Sequence, residues 1–295
     1  MRITGIELNT RCNFFCPHCY VPNRHHGSSF IPFNDYKKII RSLLDDEVLG
    51  LFLTGGEPLT LQNFTDYYEY AVAQGFLVSI FTNGYIMSNK IKKSLLLFRP
   101  RKIELSLYGF SQETYMSITK LQDAYKNVMQ NMSWLLDEGF SIKVKYILMN
   151  GNVPDVGSFV KYAEERRIDY SINPALFPVL RKSKPDLKFR IDPGSLKCLA
   201  EMYPTKVQIG DFGRDFSCDA GDLLYITSDM RVKGCPALIK SYQLDFNMLN
   251  SKDFLNSIRL EIKSHIINGK YSYCPAWEDI EGANQISEFL RLART

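Results

Sequence analysis

The ten residues Arg11-Cys12-Asn13-Phe14-Phe15-Cys16-Pro17-His18-Cys19-Tyr20 constrain this chain more than any other stretch. They place three thiols on one loop in the spacing Cys-x3-Cys-x2-Cys. Iron–sulfur clusters are ordinarily held by four cysteines. Three in a tight loop with no fourth nearby hold three corners of a cubane and leave one iron open to a small molecule. The competing reading is a zinc site that recruits His18, His25 or His26, although the spacing suits a cubane better than a tetrahedral ion. Residues 1–10 carry Arg2 and Glu7 and lack the apolar segment of a signal peptide. The chain therefore reads as cytoplasmic, where thiols stay reduced.

With 295 residues, 45% of them hydrophobic, one large domain and a small one are within reach. A net charge of +4 with both signs interspersed gives no reason to expect a nucleic-acid partner. No apolar run approaches the ~20 residues of a membrane span. Strand and helix patterns alternate along the chain. Strands are expected at Ile3–Leu8, Leu49–Leu53, Phe76–Phe81, Lys102–Leu107, Ser141–Leu148 and Ile168–Ile172. Helices are expected at Asp35–Glu47, capped by Asn34, then Phe64–Ala73, Ser88–Leu97, Ala124–Glu138 and Val156–Arg166. Six such repeats with apolar strands predict an α/β fold, a partial (β/α)6 TIM barrel with a parallel sheet. Its chemistry is expected at the C-terminal ends of the strands.

One of those strand ends carries Gly55-Gly56-Glu57-Pro58. Two glycines let a backbone approach a ligand closely, and Pro58 stiffens the exit; alone the segment is an ordinary turn. Taken with the cysteine loop, it resembles the radical S-adenosylmethionine (SAM) enzymes. The resemblance implies a 4Fe-4S cluster on Cys12, Cys16 and Cys19 whose open iron chelates the amino and carboxylate groups of SAM. An electron from the cluster then breaks the sulfonium bond, and a 5'-deoxyadenosyl radical takes hydrogen from a substrate. It also implies that Gly55, Gly56, Glu57 and Pro58 meet the SAM amino group and that His18 packs on the adenine side. Asn83 and Ser106 match polar positions near the ribose, methionine or carboxylate. Lys145 is a cation for the SAM carboxylate, and Asn173 is a weaker candidate. Structural filling of the barrel interior is the alternative for each.

The last third carries a second constellation. Cys218 and Cys235 flank a predicted β-hairpin, Leu223–Thr227 and Arg231–Lys233, and Cys274 follows a predicted helix at Asp253–Ile267. This resembles the auxiliary-cluster extension of radical SAM enzymes, in the short form (twitch) rather than the long one (SPASM), and so implies one further 4Fe-4S cluster. Two departures stand out. The family usually has glycine where Met230 stands, so the turn is expected to find another geometry. Trp277 occupies the place where a further cysteine often follows. The fourth ligand is left among Cys198, an oxygen such as Asp219, and the substrate. Cys198, in a helical stretch Leu196–Met202, is expected to be a buried thiol. The implied domains are a barrel over 1–175, a linker over 176–204 and a twitch-like domain over 205–295. The linker's five cations between Leu180 and Arg190 face Asp186 alone; they read as a solvated face or a strip for an acidic substrate.

The segment Ser106-Leu107-Tyr108-Gly109 with Glu113-Thr114-Tyr115 and Ile118-Thr119 resembles maturases of ribosomally made peptides. The implied reaction is hydrogen abstraction from a precursor peptide followed by crosslinking, epimerisation or excision. With the barrel beginning at Ile3, a separate leader-binding protein is expected, together with an electron donor such as flavodoxin or ferredoxin. Cys198 or Cys235 would return a hydrogen atom in an epimerase, and Asp211 or Asp215 would accept a proton unless they are turn residues. The alternative is a radical SAM dehydrogenase or epimerase acting on a small molecule such as an aminosugar.

Overall fold

Residues 1–19, 29–174, 189–207, 222–236, 241–245, 247–249 and 252–268 are described in the computed structural model of the chain. Six parallel strands form its frame: β1 (Arg2–Glu7), β2 (Val48–Thr54), β3 (Leu77–Thr82), β4 (Lys102–Leu107), β5 (Ile142–Ile147) and β6 (Asp169–Asn173). Helices alternate with them: α1 (Phe33–Asp45), α2 (Phe64–Ala73), α3 (Asn89–Leu97), α4 (Gln112–Thr119), α5 (Ala124–Asp137), α6 (Val156–Glu165) and α7 (Pro193–Met202). The fold is the α/β partial barrel that the alternating pattern implied. A hairpin follows, β7 (Leu224–Ile226) and β8 (Arg231–Lys233), then β9 (Tyr242–Gln243) and helix α8 (Lys252–Asn268). The sheet order is β6-β5-β4-β3-β2-β1-β7-β8-β9, and β7 runs parallel to β1 with Gly5 opposite Tyr225. The hairpin thus prolongs the barrel sheet past its first strand.

Period-two burial fixes the two faces of the barrel strands. Ile103, Leu105 and Leu107 on β4 and Ile142, Val144 and Tyr146 on β5 are buried in the core. Lys102, Glu104, Ser106, Lys143, Lys145 and Ile147 alternate with them and are half-buried on the other, concave face. Helix α1 buries Tyr36, Ile39, Ile40 and Leu43, the spacing of one helix stripe. On the concave face Phe52 stacks on Phe81 at 4.7 Å and lies 6.3 Å from Tyr225. A Cβ at Gly5 would stand 2.2 Å from the Phe52 ring, so only glycine fits there.

Two expectations need correction, and one helix lies where none is expected. Asn34 does not cap α1: Pro32 holds the cap position and the helix starts at Phe33, because the fixed φ of proline suits a helix start without a side-chain acceptor. Helix α4, capped by Ser111 Oγ and ended by Lys120 in the left-handed region at φ 61°, is too short to show a period in sequence. Met230 does not avoid the glycine geometry of its turn; it adopts it, at φ 60°. Its backbone is held from both sides, since the Met230 N–H donates to Thr227 O at 3.0 Å and its carbonyl accepts from the Leu244 N–H at 2.9 Å.

Helix α8 is tied to the barrel by charge. Arg259, 5% exposed, donates from Nη1 to Asp46 Oδ1 at 2.8 Å and pairs through Nη2 with Oδ2. Arg2 Nη1 reaches the Asp46 carbonyl at 2.7 Å. Removing one partner of a buried pair leaves the other charge uncompensated. Asp46→Asn is therefore expected to lower unfolding free energy by about 3–5 kcal/mol, read from denaturant midpoints, whereas a loss below about 1 kcal/mol would refute the clamp.

Candidate active site at the barrel mouth

The cysteine loop begins where β1 ends, and its base is closed by its own backbone. Asn9 bridges Phe30 antiparallel, the Thr10 N–H donates to Ser29 O at 3.0 Å, and the Ile31 N–H donates to Leu8 O at 3.0 Å. The loop is anchored by an aromatic plug. Phe14, buried, meets the rings of Tyr85, Tyr108 and Tyr115 at 5.7, 6.1 and 6.3 Å, and the Phe15 N–H donates to Thr119 O at 2.9 Å. An anchoring role for Phe14, Tyr85, Tyr108 or Tyr115 is not among the expectations from sequence. An aromatic inside the spacing, matched by aromatics after β3 and β4, was the available signal.

Cys12, Cys16 and Cys19 form no disulfide. Burial, with the thiolates of Cys16, Cys12 and Cys19 adding to it, holds the Tyr108 phenol well above its ordinary range. Among the described residues, no three cysteine, histidine or carboxylate groups converge on one point as a single ion requires. Three unbridged thiols on one loop are a donor set for three corners of a cluster. His18 packs on Tyr108 at 5.3 Å between ring centroids.

Gly55-Gly56-Glu57-Pro58 lies directly against this loop. The Gly56 N–H donates to Asn9 O at 2.8 Å, and the Glu57 N–H donates to Arg11 O at 2.7 Å. A Cβ on Gly55 would lie 2.5 Å from Asn9 O, and one on Gly56 would lie 2.4 Å from Thr10 O. The close approach expected toward a ligand is thus made toward the chain's own cysteine loop. Glu57, expected near a cofactor, is turned inward and buried. Its Oε1 accepts from Thr82 Oγ1 at 2.7 Å and the Leu59 N–H at 3.0 Å, and its Oε2 from the Asn83 N–H at 2.7 Å. Pro58 opens the short 3-10 turn that Glu57 caps. Asn83, so fixed, donates from Nδ2 to Asn13 Oδ1 at 3.0 Å and to Cys12 Sγ at 3.8 Å.

The remaining expected residues divide. Ser106 stands on the concave face beside Lys145, its partner in register. Lys145 already has a carboxylate, since Nζ pairs with Glu104 Oε2 and lies 4.5 Å over the Phe81 ring. Among the described residues, Asn173 ends β6 with Oδ1 buried and without a hydrogen-bond donor, and Asn13 Nδ2 is buried without an acceptor. Such groups fit a polar ligand at the mouth. Cys198 is exposed rather than buried, because Leu196 and Leu199 take the inward face of α7; it is thus turned away from the interior. Cys235 is half-buried, and β8 carries it toward the N-terminal end of β1, away from the cysteine loop. Cys218, Cys274, Asp211, Asp215, Asp219 and Trp277, with His25, His26 and the cations of 181–188, lie outside the described residues.

A family model described as the Radical SAM superfamily matches residues 6–163. The antilisterial bacteriocin subtilosin biosynthesis protein AlbA of Bacillus subtilis is 26% identical over 154 residues, 51% of this chain and 34% of that protein. The GTP 3',8-cyclase of Helicobacter pylori is 23% identical over 169 residues, 55% of this chain and 52% of the enzyme. The chain thus matches about a third of the first relative and half of the second. Streptococcus suis SuiB bound to S-adenosylmethionine superposes with a TM-score of 0.73 at 17% identity, over 96% of this chain and 73% of that one. The anSMEcpe structure with bound AdoMet superposes with a TM-score of 0.71 at 14% identity, over 99% of both chains.

Two outcomes follow from the contact between the loops. Gly56→Ala is expected to fold but to displace the Thr10–Cys12 backbone and lose at least about half of the iron bound after reconstitution, read by iron analysis. Burial pushes the Glu57 carboxyl up from 4.5 to about 7, against the bonds from Asn83, Thr82 and Leu59. A folded value above the unfolded one gives stability that is present below pH 4.5 and lost as pH rises through about 7. Thermal unfolding of the full chain should therefore show a fall of about 3 kcal/mol across that window. Glu57→Gln should flatten the fall while costing about 1–3 kcal/mol throughout.

Proposed function

Because the chain belongs to the radical SAM superfamily, a superfamily of enzymes, we propose that the loop at the barrel mouth holds a 4Fe-4S cluster on Cys12, Cys16 and Cys19 with SAM beside it, and that the substrate is a ribosomally made precursor peptide. The observation that carries the cluster reading is the seating of the Asn83 amide on Cys12 Sγ by a buried glutamate, with three unbridged thiols on one loop. When bound, the cluster supplies the electron that cleaves the SAM sulfonium bond to a 5'-deoxyadenosyl radical, which takes a hydrogen atom from the substrate.

The chain's own residues orient and enclose. Asn83 and Asn13, linked at 3.0 Å, form a polar ledge next to the cysteines. Asn173 Oδ1 offers an acceptor from the far strand. Ser106 adds a hydroxyl on the concave face, and His18 with Tyr108 forms an aromatic wall for an adenine ring. Gly55 and Gly56 keep the loop in register. Lys145, neutralised by Glu104, contributes to the wall of the substrate space more naturally than to a SAM carboxylate. Cys235, carried away from the mouth by β8, suits a ligand of an auxiliary 4Fe-4S cluster with Cys218 and Cys274 better than a hydrogen donor beside SAM.

The peptide reading is supported by the subtilosin biosynthesis protein AlbA, by SuiB bound to precursor peptide SuiA and by anSMEcpe bound to the Cp18Cys peptide. A leader-binding protein and a flavodoxin- or ferredoxin-like electron donor complete it. No described helix is long and apolar enough to cross a membrane. A second reading, a small-molecule radical SAM enzyme, is favoured by the GTP 3',8-cyclase, whose identity is close to that of AlbA.

Anaerobic reconstitution is expected to give about eight irons per chain with both clusters and about four with the SAM site alone. Added SAM and reductant should release 5'-deoxyadenosine. Cys16→Ala should abolish that release; cleavage at the unaltered rate would end the proposal. A short peptide encoded beside the gene should bind, whereas binding of a nucleotide or aminosugar in its place selects the second reading.

A further inference from the structure

Glu7 is a buried carboxylate that no role above uses. It closes β1 directly before the base of the cysteine loop. Its Oε1 accepts from the Ser228 backbone N–H at 3.2 Å and from Ser228 Oγ at 2.7 Å, and its Oε2 accepts from the Tyr225 hydroxyl at 3.2 Å. Ser228 stands in the turn between β7 and β8. Its hydroxyl proton is committed to Glu7, so its oxygen receives the Ser29 hydroxyl, at 2.5 Å. Ser29 belongs to the base of the cysteine loop, where its carbonyl accepts from the Thr10 N–H.

One carboxylate thus joins the end of β1, the hairpin turn and the segment leaving the cysteine loop. Burying an anion is costly unless donors converge on it, so the network has a reason to stay intact. Strand pairing alone does not call for it. β1 and β7 are already laddered from Thr4 to Ile6, and the Glu7 bonds lie past that ladder, level with the loop base. Ser228 Oγ is the atom in this network that touches both Glu7 and Ser29, so it joins the hairpin turn to the loop base directly.

We propose that Glu7 is a positioning residue that couples the three-cysteine loop to the hairpin bearing Cys235, so that SAM held at the loop tightens the hairpin and the hairpin in turn sets the affinity for SAM. Coupling of two sites is reciprocal in free energy. The inference rests on the reading that the loop holds the cluster and SAM.

The test follows hydrogen–deuterium exchange in the full, anaerobically reconstituted chain with and without SAM. In the unaltered chain SAM is expected to slow exchange at Thr10 and Ile31 and also across Leu224–Lys233. Ser228→Ala removes the hydroxyl link yet leaves the N–H on Glu7. It is expected to keep SAM protection at the loop base, lose it in the hairpin, and weaken SAM binding in calorimetry. Without SAM its hairpin should exchange about fivefold faster, with β3–β5 unchanged. Tyr225→Phe leaves both Ser228 bonds, so it should loosen β7 but still transmit the SAM effect, which separates coupling from simple loss of packing. A hairpin indifferent to SAM in the unaltered chain, or one that Ser228→Ala leaves fully responsive, overturns the proposal. Absence of SAM protection even at the loop base overturns the functional reading instead, and the fivefold effect without SAM still decides whether Glu7 fixes the hairpin.

Discussion

Two backbones pressed together without side chains between them set the geometry of this site. The turn after β2 meets the loop after β1 through Gly55 and Gly56, where a single methyl would collide with the carbonyls of Asn9 and Thr10. Glycine's usual cost in backbone entropy is accepted there because the hydrogen bonds from Gly56 and Glu57 continue the β1–β2 ladder past the strands. The cysteines are consequently not on a free loop. The backbone leading into their first member is held by the turn after β2, their plug Phe14 by residues after β3 and β4, and their base by the hairpin turn.

Buried carboxylates do the joining. Glu57 links the turn after β2 to the start of the turn after β3, and it fixes the side-chain amide of Asn83, which reaches Cys12 beside the Phe14 N–H. Glu7 links β1 to the hairpin. Both are desolvated, which raises their carboxyls, and both collect hydroxyl and backbone donors that favour the anion. The concave face is polar as well, with Glu104 and Lys145 paired beside the Phe52–Phe81 stack. Such a lining suits a bound polar molecule better than a sealed core.

The cysteine spacing, the strand–helix alternation and the placing of motifs at strand ends were all legible, since each rests on local periodicity or on a short run of residues. Phe64–Ala73 and Lys102–Leu107 match to the residue. What escaped was set by contacts far apart in sequence. Nothing near Gly55 says that its neighbour is Asn9, and nothing near Lys145 says that Glu104 will take its charge. The left-handed Met230 is held by Thr227 and Leu244 across the hairpin, a constraint no propensity encodes. Cys198 was misjudged because a thiol is usually buried, while Leu196 and Leu199 had already claimed the inner face.

The pairing of Asp46 with Arg259 spans 213 positions. At cellular rates of synthesis, roughly 10–40 s separate the emergence of the two residues from the ribosome. During that interval the carboxylate below the first barrel helix lacks the guanidinium that will cover it, and water must serve in its place. The pair that closes the barrel's foot, at the end opposite the three thiols, thus forms only after all six barrel strands have been made.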